Sequence, residues 1–120
     1  AAVFINLTDE RYTKIMEPRQ PGSTLLFNLA GVNNLAAATT GTVKIKLIDQ
    51  KGRNTSEQTI PVKLDSYVRT NIPATVVLPS EPGGYVMVAE FIPENGRPVI
   101  SRRFLKVGQA EKYHYFELNP

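Results

Sequence analysis

The chain has 120 residues, 42% hydrophobic and 21% charged, enough for one packed core in a single domain spanning 1–120 and too few for a second. It has no cysteine and a single histidine, His114, which excludes disulfide scaffolds, thiolate metal sites, cysteine nucleophiles and multi-histidine metal centres. The formal net charge of +3, from 14 Lys+Arg against 11 Asp+Glu, is a mild excess that points to no acidic partner, and no apolar run approaches the ~20 residues of a membrane span. No charged segment followed by an apolar one opens the sequence, so an export signal is expected to have been removed or to lie outside it.

The dominant signal along the chain is short runs of period two, punctuated by Gly, Pro, Asn and Asp, which predicts strands. Residues 2–7 form a short first candidate. Residues 8–17 offer Thr8 as a helix cap with Tyr12, Ile15 and Met16 at helical spacing, but residues 11–16 alternate equally well as a strand, and Pro18 ends either. Residues 23–29 alternate Leu25, Phe27 and Leu29 against Thr24, Leu26 and Asn28. Residues 34–38 suit one helical turn in a crossover. In residues 42–48, Val43, Ile45 and Leu47 face one way and Lys44 and Lys46 the other, giving a half-buried strand. Asp49, Gln50, Lys51 and Gly52 then supply a turn, with Gly52 free to take a positive φ.

Residues 57–64 and 71–78 read as extended, yet each contains a proline, Pro61 and Pro73, that cannot donate to a sheet ladder; both are expected at sheet edges or bulges. Residues 84–92 differ, because Tyr85, Met87, Ala89 and Phe91 fill one face while Val86, Val88 and Ile92 make the other apolar too. That predicts a central strand. Asn95-Gly96 marks a hairpin into an antiparallel partner, Val99–Val107. Residues 112–118 read as a last strand with Tyr113, Tyr115 and Glu117 on one face. The sum is an all-β chain, an antiparallel β-sandwich of about 7–8 strands.

The stretch Leu78-Pro79-Ser80-Glu81-Pro82-Gly83-Gly84-Tyr85-Val86-Met87-Val88 resembles the approach to the penultimate strand of immunoglobulin-like and fibronectin type III-like domains. In those domains a tyrosine commonly bonds back to upstream backbone, a role the resemblance carries to Tyr85 within a structural corner of Gly83, Gly84 and Tyr85. The absence of Trp and of a cysteine pair argues against an antibody-type domain. Together with Pro21-Gly22-Ser23-Thr24-Leu25 and Asp49-Gln50-Lys51-Gly52, the frame resembles accessory sandwiches of bacterial secreted and cell-envelope proteins, including glycoside hydrolases and macroglobulin-like chains. The resemblance implies a bacterial secreted, periplasmic or cell-surface location. It speaks to fold more than to function.

Candidate chemistry is sparse. Asp49, Asp65, Glu90 and Glu94 lie near strand ends, but no spacing pairs them as glycosidase carboxylates, and Glu90 is expected to form an ion pair with Arg102 or Arg103. His114 has no marked nucleophile, and no phosphate-loop motif surrounds Gly83-Gly84. Lys44, Lys46, Arg102, Arg103 and Lys106 lack the interleaved aromatics of a nucleic-acid surface and read as charges on solvated sheet faces. The best ligand candidates are Tyr113 and Tyr115, with Phe116, as an interface or sugar platform. The expectation is a noncatalytic accessory or structural module with no metal or cofactor, contacting neighbouring domains of the same polypeptide or another protein. The alternatives are a carbohydrate-binding module meeting a glycan through those tyrosines and an assembly subunit using edge-strand pairing.

Overall fold

A computed structural model describes residues 1–6 and 17–116 of the chain. Among the described residues the period-two segments form seven antiparallel strands: β1 (Ala2–Asn6), β2 (Thr24–Asn33), β3 (Thr39–Ile48), β4 (Asn54–Leu64), β5 (Val68–Val77), β6 (Gly83–Pro93) and β7 (Val99–Val107). They make two sheets, one ordered β1-β2-β5 and the other β4-β3-β6-β7, packed as an antiparallel β-sandwich. The expected helix or strand over residues 8–17 lies almost wholly outside the described residues.

The core is the set of inward positions that the alternation marks. Leu25, Phe27 and Leu29 from β2 meet Val43, Ile45 and Leu47 from β3 and Tyr85, Met87, Ala89 and Phe91 from β6. Phe91 is wholly enclosed at the centre, where truncation to alanine would cost about 3–5 kcal/mol.

The strands with an internal proline, β4 with Pro61 and β5 with Pro73, lie at sheet edges, and β6 is central, between β3 and β7. Gly52 adopts φ +81° in the β3–β4 turn, as its position demands. Three local expectations are corrected. Residues 35–37 bend rather than form a helical turn, because β2 runs on to Asn33 and β3 starts at Thr39, leaving only a short bridge between the sheets. Residues 113–116 are not a strand: near Val107 the open side of β7 is taken by Arg19, whose N–H donates to the Lys106 carbonyl (2.8 Å) and whose carbonyl accepts from Gly108 N–H (2.8 Å). Glu117 and Leu118 of that predicted strand lie outside the described residues. Arg103, expected on a solvated face, is registered opposite buried Met87 on the inward side.

The two lateral edges of the sandwich are finished differently. On the β1/β7 side, Ile5 N–H donates to Ser101 Oγ (3.0 Å) and its carbonyl accepts from Arg103 Nη2 (2.9 Å), so β7 side chains satisfy the β1 main chain. On the β4/β5 side, Gln58 Nε2 donates to the Thr75 carbonyl (2.6 Å), and the two prolines remove edge donors.

Candidate functional site

The residues singled out in the sequence converge on one end of the four-stranded sheet. Gly83 opens β6 opposite Val107, and Tyr85, two positions on, turns into the core. Its hydroxyl donates to the carbonyl of Glu81 (2.7 Å), tying the strand back to the segment before it. Burial pushes the Tyr85 phenol above its ordinary value, and the Glu81 and Asp49 charges add to the rise.

Beyond Gly108 the chain crosses the outward face of the sheet at the β6 end instead of extending an edge. Gly84 makes the crossing possible: a Cβ there would collide with the His114 carbonyl oxygen and stand 2.9 Å from the Tyr115 ring. At Gly52 an added Cβ would sit 2.7 Å from the Phe116 ring. Tyr115 meets Phe104 edge-on, with centroids 5.0 Å apart, and burial raises its pKa, helped by neighbouring Tyr113. Tyr113 donates its hydroxyl to the Gly108 carbonyl (2.6 Å), and Lys106 Nζ stands 5.3 Å from its ring centre. Val86 faces outward from β6 yet is only 1% exposed, because this end of the sheet is covered. Tyr113, Tyr115 and Phe116 are thus brought together and engaged with their own sheet.

Other candidates fall elsewhere. Glu90 makes no ion pair with Arg102 or Arg103; its cross-strand neighbours are Lys44 and Ile100, while Arg102 lies opposite Val88 and Arg103 turns inward. Lys46 pairs with Glu57 (3.7 Å) on β4. Among the described residues no group of three or more His, Cys, Asp or Glu side chains is placed to hold a metal. His114 is exposed.

The burial of Asp49 and the roles of Asn33 and Tyr67 were not marked by the sequence pattern. Buried Asp49 receives the N–H groups of Lys51 (3.0 Å) and Arg53 (2.8 Å) on Oδ1 and Arg53 Nε on Oδ2 (2.7 Å). Burial alone would raise its pKa, but these bonds and the Arg53 charge lower it below the ordinary carboxylate value. Asn33, fully buried, donates to the carbonyls of Ala37, Leu64 and Asp65 and accepts from Leu35 N–H (3.1 Å). At the tip it organises, Tyr67 sits at φ +53°, donates its N–H to Leu35 O (3.2 Å), and leaves its ring exposed. A positive φ at a tyrosine gives no sequence cue.

No family model matches the sequence, and no curated protein matches it. Solved structures with the same fold include a family 123 glycoside hydrolase from Clostridium perfringens, described for glycolipid glycan hydrolysis, with a TM-score of 0.61 and 11% identity over 91% of this chain and 27% of that one. They also include the sporulation control protein Spo0M from Bacillus subtilis, with a TM-score of 0.50 and 11% identity over 92% of this chain and 51% of that one. The chain therefore spans about a quarter of the first protein and half of the second, and the likeness is one of fold.

Proposed function

We infer that the chain is a noncatalytic, immunoglobulin-like accessory module of a larger exported bacterial protein, working by packing against another domain or protein. The observation that carries this reading is the outward face of the three-stranded sheet. There Leu26 is 72% and Val77 63% exposed, and of the outward residues of β1, β2 and β5, Arg69 alone is charged. A sheet face so poor in charge is costly to leave in water and suits a partner surface. A fold of this size occupying about a quarter of a glycoside hydrolase chain fits the accessory role.

Sugar binding on Tyr113 and Tyr115 is the weaker reading, since one ring meets Phe104 and the other Lys106. Edge pairing is weaker still, with a proline in each of β4 and β5 and the β1/β7 edges tied together.

The test places a photo-crosslinking side chain at position 26, at position 77, and at exposed Glu57 as control, in cells making the whole gene product. Crosslinks from 26 and 77 but not 57, to another segment or protein, support packing. Equal labelling at all three, or none at 26 and 77, contradicts it. A glycan array with wild type and the Tyr113→Ala/Tyr115→Ala variant covers the alternative: glycan binding lost in the variant would replace the packing reading.

A further inference from the structure

On the outward face of the other sheet, beyond the row that the tail covers, lies a depression of about 240 Å³. Its floor is aliphatic, made by Ile48, Val88 and Ile100, and its charged lining is Lys44, Lys46, Arg102 and Glu90, of which Lys46 pairs with Glu57 outside it (3.7 Å). The strand register fixes their relation. Glu90 on β6 stands directly across from Lys44 on β3 and diagonally from Arg102 on β7, distances that leave their charged ends free to approach one another. They do not: neither cation forms an ion pair with Glu90. Arg102 Nε is shielded from solvent and has no hydrogen-bond partner, so part of this guanidinium has already lost its water, which lowers the cost of replacing the rest by an anion.

With Lys46 paired to Glu57, the two remaining cations, Lys44 and Arg102, and the Glu90 carboxylate thus surround a gap without neutralising each other, over a floor that offers apolar contact. A purely anionic chain meets repulsion from Glu90. A ligand whose carboxylate lies beside hydroxyl groups satisfies all three, the carboxylate accepting from Lys44 and Arg102 and a hydroxyl donating to Glu90. No aromatic ring is among the residues lining the depression, so binding does not use the ring stacking expected of Tyr113 and Tyr115.

We propose that this depression on β3, β6 and β7 is a binding site for a carboxylated sugar. It does not rest on the packing reading, which uses the opposite sheet. The test titrates the whole chain by calorimetry with tri-galacturonic acid, with a neutral galactose trimer, and with oligoglutamate. The site predicts binding of the uronate only. The affinity falls about tenfold or more in Lys44→Gln and in Arg102→Gln and is unchanged in Tyr113→Ala. Glu90→Gln weakens the uronate and strengthens oligoglutamate. Thermal melting confirms that each variant is folded, and Lys44→Gln alone decides if Arg102→Gln is not. No uronate binding at millimolar concentration, equal binding of oligoglutamate by the wild type, or full affinity in Lys44→Gln overturns the proposal.

Discussion

Asn33 holds two connections with one side chain. Its amide group spans the 34–38 crossover and the β4–β5 turn through the carbonyls of Ala37, Leu64 and Asp65, while Oδ1 caps Leu35 N–H. Asn33→Ala removes all four bonds, the one to the buried Leu64 carbonyl among them, and is expected to cost about 1–3 kcal/mol, read as a lowered urea midpoint with unchanged slope. Asp49 acts in one turn only, and its contribution depends on pH. Its pKa is lower in the folded chain than in the unfolded one, so its stabilisation is complete above the unfolded value near 4 and is lost as pH falls through the folded value. Urea midpoints measured from pH 7 downward are expected to drop more steeply below pH 4 for wild type than for Asp49→Asn. Asp49 is a readable turn residue, whereas its burial is not. Asn33 gives less sign still, since it lies among Ala, Asn and Thr and two of its partners are 31 and 32 residues away.

At the level of elements, local chemistry made the strands legible. Proline's missing donor assigns β4 and β5 to edges, the two apolar faces of β6 assign it to the interior, and Asn95-Gly96 assigns the last hairpin. The tail after Gly108 was not legible, because alternation in residues 112–118 specifies which side chains share a face, not whether an edge is free to receive them. Arg19 occupies that edge, and the glycine at position 84 opens another course across the sheet. Gly84→Ala puts a methyl group against the His114 main chain, which cannot rotate away, and is expected to cost about 1–3 kcal/mol. Its more specific sign is faster tryptic cleavage after Lys112 under native conditions, as the tail lifts from Phe104 and Val86. Unchanged cleavage would mean that Tyr113, Tyr115 and Phe116 are held independently of the crossing at Gly84.

On the scale of the whole molecule, the two sheet faces differ in character. The four-stranded sheet is overlaid by its own tail at one end and studded with Lys44, Lys46, Glu90 and Arg102 elsewhere. The three-stranded sheet exposes the part of its outward face toward β5, with Leu26 and Val77 in solvent, while Phe4, Ala30 and Val32 are half-buried. Period two tells inward from outward within each strand, so the core was readable; which outward face a partner covers depends on how strands from distant parts of the chain assemble side by side. The central claim is that this exposed part of the face is covered in the working protein. Hydroxyl-radical footprinting of side chains measures this directly, comparing oxidation of Leu26 and Val77 in the isolated chain with the same residues in the whole gene product purified with its partners. Strong protection of both, with Tyr67 as the exposed reference elsewhere on the surface, is the predicted result. Oxidation at the same rate in the two samples would contradict the account.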